Sequence, residues 1–195
     1  MTERLDAQFA FLNEADKLKS VLRATTLCDG SRRENSAEHS WHLALYAMIL
    51  ADQAAPGVDV NRVIRMLILH DLVEIDVGDV PIHSQNGTAH ASKETTTAES
   101  RAADRIFGLL PTDLCADLRP LWDEFEAAQT PDARFAKSLD RAQPVMHNLA
   151  SGGGTWITYA VTSDQLDSRV GAKIAQGAPA LWDFVRRKTR SFFVA

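Results

Sequence analysis

The chain has 195 residues, 45% of them hydrophobic and 24% charged, so it can bury one substantial core and a single domain is the default expectation. A formal charge of -5 argues against a nucleic-acid surface, which would collect Lys and Arg; the basic clusters Arg32-Arg33 and Arg186-Arg187-Lys188 read as solvated faces. Two cysteines make no disulfide framework and fit a reducing cytoplasm, and no apolar run approaches the ~18 residues that would cross a membrane.

Leu5, Phe9, Leu12, Ala15, Leu18 and Leu22 recur near helical spacing, which predicts an amphipathic helix from Thr2 to about Arg23 with that face on the core. Residues 24–35 carry Thr25, Thr26, Asp29, Gly30 and Ser31, which is loop chemistry. Ser36 is the expected cap of a helix reaching about Ala54, where Pro56-Gly57 breaks it. Asp59 then caps an apolar helix, Val63-Ile64-Arg65-Met66-Leu67-Ile68-Leu69, that ends near Glu74.

The connection over residues 76–91 is long and irregular, with Gly78, Pro81, Asn86 and Gly87, and its length points to function. Ser92 opens a helix to about Leu109, Pro111-Thr112 another with Pro120 inside, and Thr130-Pro131 a third that carries Asp140 and bends at Pro144. Ser151-Gly152-Gly153-Gly154 is a break, and two helices beginning at Ser163 and Ala178 finish the chain. No run of alternating strand character stands out. The expected fold is a compact all-α domain of about eight helices, a single domain over residues 1–195.

The run His70-Asp71-Leu72-Val73-Glu74, with Gly78-Asp79 close behind, is the most telling feature. An imidazole and a carboxylate at the inner end of an apolar helix are costly unless something pairs with them. A divalent metal binds both ligand types at short range. Neighbours in a helix diverge by about 100°, so His70 and Asp71 converge on one ion only at a helix end or bend. His39 and Asp140 are further ligand candidates on two other helices. Two nitrogen and two oxygen donors would leave positions open for water and substrate, as in a catalytic site. Glu74 follows His70 by one helical turn, on the same face, where it can serve a bound water as base.

The pattern of His39 in Glu34-Asn35-Ser36-Ala37-Glu38-His39, the His70-to-Asp79 stretch, and Asp140 in Lys137-Ser138-Leu139-Asp140 resembles the HD-domain phosphohydrolases over about residues 15–150. The branch it is most similar to is the 5′-deoxynucleotidase-like one. The resemblance implies that His39, His70, Asp71 and Asp140 ligate one divalent metal ion (Mn, Co, Mg, Fe, Ni or Zn), with Glu74 and Asp79 catalytic. It further implies that Arg23 orients phosphate and that Asp79 reads the sugar; Val80, Pro81 and Ile82 form the adjacent wall. Relatives usually carry a Trp shortly after that arginine, whereas Ala24, Thr25 and Thr26 follow here, a departure on the base-binding side of the pocket.

The function these features lead to is hydrolysis of nucleoside 5′-monophosphates, deoxyribonucleotides foremost, to nucleoside and phosphate by a metal-activated water. A small phosphorylated substrate, no nucleic-acid or membrane partner, a cytoplasmic location and a homodimer complete the expectation. Two other readings stand beside it: hydrolysis of a signalling or other phosphorylated nucleotide, and a non-catalytic, metal-stabilised HD binding module. His83 and His90, in the long connection, are candidates for a second metal that no second acidic pair accompanies, and His42 is expected in a supporting place near His39.

Overall fold

The computed structural model describes residues 2–88 and 92–193. Helix α1 spans Thr2–Asp16 and passes through a 3₁₀ turn at Lys17–Ser20 into strand β1, Leu22–Thr26. Strand β2, Arg33–Asn35, pairs antiparallel with β1. Helices α2 (Ser36–Ile49) and α3 (Val60–Leu69) follow. A 3₁₀ turn, His70–Val73, leads into the short α4, Glu74–Val77. Helices α5 (Lys93–Phe107), α6 (Thr112–Ala127) and α7 (Pro131–Ala150) build the middle of the molecule. The chain closes with α8 (Thr155–Thr158), α9 (Ser163–Leu166), a π-turn, α10 (Ala172–Gly177) and α11 (Pro179–Phe193).

The architecture is all-α, with one small hairpin. That hairpin corrects the loop expected over residues 24–35, and it takes Arg23 off the first helix and onto a strand. Ordinary β-pairing reaches only a few residues here, too short for an alternation signal to rise above loop composition. The expected face of α1 is also corrected. Phe11 and Leu18 are buried, but Leu5, Phe9, Leu12 and Leu22 are each more than half exposed. Helical spacing showed a stripe without saying whether anything covers it.

Local chemistry sets the helix starts. Asn35, not Ser36, caps α2: its side chain accepts from the Glu38 backbone, and the Glu38 carboxylate receives the Asn35 N–H in return. Asp59 caps α3 through the amides of Asn61 and Arg62, Ser92 caps α5, and Thr130 caps α7 with Pro131 at its first turn. Pro144 lies inside α7, which runs on to Ala150. The C-terminal stretch from Ser163, expected to start as one helix, is divided by the π-turn Asp167–Gly171.

Helix α7 is the spine. Ala133, Phe135, Ala136, Leu139, Ala142 and Val145 are buried along it, facing α2, α3 and α10. Removing one such leucine from water contributes about 2–3 kcal/mol. The same helix carries buried polar residues, Asp140, Gln143, His147 and Asn148, which need partners inside the core. Among the described residues no helix is long and apolar enough to cross a membrane.

Candidate metal centre

His70 and Asp71 sit where α3 ends. Val63, Met66 and Leu67 bury the helix, and the chain then tightens into the turn His70–Val73. The His70 ring donates from Nδ1 to the Leu67 carbonyl at 2.8 Å, so Nε2 carries the lone pair. That Nε2 lies 2.8 Å from Asp71 Oδ1 and 3.8 Å from Asp140 Oδ1. His39, fully buried on α2, places Nε2 3.2 Å from Asp140 Oδ1. Ligand atoms of His39, His70 and Asp71 all fall within 4.8 Å of one another. Three distant segments thus bring the four residues together. The Trp122 indole donates to the His70 carbonyl at 3.1 Å, and the Phe125 ring lies 4.8 Å from the imidazole, which holds that turn against α6.

The electrostatics of this cluster call for a cation. Burial and Arg23 oppose charge on His39, yet Asp140, Glu34 and Asp71 raise it to about 9. Burial opposes ionisation of Asp71, and His70 and Arg23 overcome it, driving the carboxyl far below its usual range. Asp140 is likewise pushed well down against its burial, by Arg141, His39 and His70. His70 Nε2 is buried and finds no aligned hydrogen bond even with the Asp71 oxygen at contact distance. The carboxylates thus favour a positive charge at this buried point, and a divalent ion can take the place of the proton they hold on His39, leaving two imidazole nitrogens and two ionised carboxylates to face it. The residues therefore fit a divalent metal of the kind that takes mixed nitrogen and oxygen ligands.

Beside this cluster opens a cleft of about 980 Å³, solvent at its mouth included. Glu74 stands on its wall, receiving a hydrogen bond from Ser36 Oγ. Burial, Asp71 and Asp79 hold its carboxyl well above the ordinary range against the pull of Arg23. Gly78, at φ +75°, takes a conformation that favours glycine and turns the chain so that Asp79 faces inward. Asp79 Oδ2 accepts from the Ala24 backbone at 3.1 Å. Arg23 reaches the same place from β1: Nη1 lies 2.8 Å from Asp71, 3.6 Å from Glu74 and 3.7 Å from Asp79. Val80, Pro81 and Ile82 line the cleft next to it.

The remaining candidates stand around the ligand cluster. His42 lies 3.3 Å from the Gln143 amide nitrogen, outside the cluster itself. Lys137 pairs with Glu126 at 3.0 Å and covers the Phe125 ring. His83 lines the cleft, where burial, then Arg169 and Arg141, lower it to about 4; it belongs to no ligand group found among the described residues. His90 lies outside the described residues.

Sequence reasoning missed Glu34, Gln143, Trp156 and Tyr159. Trp156 and Tyr159 line the cleft from beyond the glycine-rich turn, and Trp156 is backed by Phe192 and Phe193 from α11. Gln143 offered a weak signal, a polar residue three positions after Asp140 and four before His147 on one helix face. Glu34 offered none.

Comparison with known proteins agrees with this geometry. The family model described as HD domain matches residues 15–182. The chain is 29% identical over 137 residues to the human 5′-deoxynucleotidase HDDC2, covering 70% of this chain and 64% of that protein's length. It is 30% identical over 148 residues to the 5′-deoxynucleotidase plu3092 of Photorhabdus laumondii, covering 73% and 75%. The solved structure of a predicted metal-dependent phosphohydrolase from Magnetospirillum magnetotacticum superposes with a TM-score of 0.88 at 46% identity, over 97% of this chain and 95% of that one. With the family model covering most of its length and a buried His-Asp pair at the end of α3, the chain belongs to the HD domain family.

Proposed function

We propose that this protein is a metal-dependent phosphomonoesterase acting on nucleoside 5′-monophosphates, deoxyribonucleotides foremost. The observation that carries the reading is the meeting of His39, His70, Asp71 and Asp140 at one buried point, with Glu74 and Asp79 on the adjoining cleft. In this reading those four residues hold one divalent ion, and the relatives named 5′-deoxynucleotidase support the substrate class. Such an ion acidifies water and polarises a phosphoryl oxygen.

The chain's own groups supply the rest. Glu74 Oε1 and Oε2 are positioned, by Arg23 and Ser36, to take the proton released when water attacks phosphorus. Arg23 presents a planar guanidinium whose donors suit the non-bridging phosphate oxygens. Asp79, fixed by the Ala24 amide, faces the cleft where it can accept a hydrogen bond from a sugar hydroxyl. Val80, Pro81 and Ile82 give that sugar an apolar wall. Where the Trp after Arg23 is missing, Trp156 and Tyr159 are aromatic residues that line the same cleft from beyond the glycine-rich turn.

The test is a screen of all ribo- and deoxyribonucleoside 5′-monophosphates with Mn, Co, Mg, Fe, Ni and Zn, reading phosphate and nucleoside together. Equal release of both is expected from at least one substrate. Silence across the panel with a metal-loaded protein overturns the reading. Turnover confined to cyclic or polyphosphorylated nucleotides replaces it with a signalling-nucleotide hydrolase.

A further inference from the structure

Behind the ligand cluster lies a second polar group that the proposed chemistry does not use: Glu34, His42, Gln143 and His147. Glu34 and Gln143 are fully enclosed, and His147 nearly so. Glu34, His42 and His147 are close enough to resemble another metal site. Their centre is already filled. The Gln143 amide nitrogen lies 2.8 Å from Glu34 Oε1, 3.1 Å from His147 Nε2 and 3.3 Å from His42 Nδ1. The group is a hydrogen-bond relay, and its outer end is the Gln143 carbonyl oxygen, 3.1 Å from His39 Nδ1.

The polarity of this relay has one consistent solution. The Thr26 carbonyl can only accept, so His147, 3.1 Å away, donates from Nδ1 and keeps Nε2 as an acceptor. The two amide hydrogens of Gln143 then go to the Glu34 carboxylate and to the ring nitrogens beside it, His147 Nε2 the nearer. Its oxygen is left facing His39 and must accept from Nδ1–H. Reversing the amide would set oxygen against a carboxylate and a ring lone pair, both buried. It would also move the His39 proton to Nε2, the atom facing Asp140. A protonated Nε2 cannot bind a metal.

We propose that Gln143 is a positioning residue that fixes the tautomer and ring orientation of His39 for metal binding. This inference rests on the metal centre proposed above. It also explains why Gln143 shares a helix face with Asp140: α7 supplies one ligand directly and orients another that comes from α2. Glu34 is the competing candidate, but its Oε2 stands at 3.5 Å from His39 Nδ1 and is aligned with no donor.

The test uses zinc as the probe. In zinc-loaded wild-type protein with ¹⁵N-labelled histidine, long-range ¹H–¹⁵N spectra should show His39 metallated at Nε2 and protonated at Nδ1. Competition with a chelator should give a zinc Kd raised about 10–100-fold in Gln143→Leu. Gln143→Met, closer in shape, gives the same reading should the leucine variant fail to fold. His42→Ala, at the far side of the relay, should bind zinc as wild type does. Wild-type affinity in the Gln143 variants, or ligation of His39 through Nδ1, overturns the role given to Gln143 while leaving the metal centre standing. A wild-type protein that takes up no zinc or other divalent ion fails the metal centre itself and the inference with it.

Discussion

Arg23 Nη1 lies 2.8 Å from Asp71 Oδ2, and both side chains are about nine-tenths buried. Glu74, Asp79 and Glu34 stand within 4 Å of the same guanidinium, which makes Arg23 the counter-ion of four carboxylates. Burial disfavours its charge, and Asp71, Asp79, Glu74 and Asp140 hold it on nonetheless. Removing it strands buried negative charge. Arg23→Ala should cost about 3–5 kcal/mol in urea unfolding of the metal-free protein. Arg23→Lys, a point charge without the planar fork, should recover only part of that. A loss in Arg23→Ala no larger than that of an ordinary surface substitution, about 0.5 kcal/mol, would show that the carboxylates do not depend on it.

Metal binding should register as stability. A ligand that binds only the folded state at a hundred times its Kd adds about 2.7 kcal/mol. Wild-type protein should therefore melt higher as zinc or manganese is added, and a chelator should reverse the gain. His70→Ala and Asp140→Asn each remove one of the proposed ligands and should abolish the shift. A shift of full size in both variants would place the ion elsewhere.

Glu74→Gln separates chemistry from metal binding. Glu74 lies on the turn after His70 and accepts from Ser36, and it is absent from the ligand group His39, His70 and Asp71. The variant should keep its metal by elemental analysis while phosphate release falls about 10²–10⁴-fold. Retained turnover in a fully metallated variant would remove Glu74 from the role of base.

What could be read from the chain follows from the range of each interaction. The turn from His70 to Asp79 is continuous in sequence, so its chemistry stands in a few adjacent letters. Asp59, Ser92 and Thr130 were legible as caps because a cap acts over three residues. Arg23 was assigned to a helix end because nothing local announces the pairing of β1 with β2. Gln143 gains meaning only where α7 crosses α2, and Trp156 only where α11 presses it toward the cleft. Those placements depend on packing between segments a hundred residues apart in the case of His39 and Gln143, and no periodicity encodes them.

The last helices are held by close backbone approach. At Gly177 a Cβ would run into the main chain of Arg134 and the hydroxyl of Ser138, both on α7. Ser138 Oγ already donates to the Ile174 carbonyl at 2.9 Å across this seam. Backbone cannot retreat as a flexible side-chain end can. Gly177→Ala should therefore destabilise the protein by about 1–3 kcal/mol, read by denaturant midpoint. A neutral result would mean that α10 can slide on α7 without loss.

Glu99, on α5 at the edge of the cleft, offers a pH dependence of its own. Burial and the neighbouring Glu126 raise its carboxyl from 4.5 to about 7, with Lys137 opposing. Between those two values the folded protein binds a proton that the unfolded chain releases. Its contribution to stability is therefore intact at acid pH and is lost as pH rises from about 4.5 to about 7. Glu99→Gln does not titrate. Because Glu99 is only partly buried, the full linkage is screened, and the variant should gain about 1 kcal/mol over wild type near pH 8 and nothing near pH 4. Unfolding free energies of the two proteins at both pH values check this, since carboxylates remote from Glu99 titrate alike in each and cancel in the difference. A gain that is the same at both pH values would trace to packing of the amide and would leave Glu99 ionised in the folded protein at neutral pH.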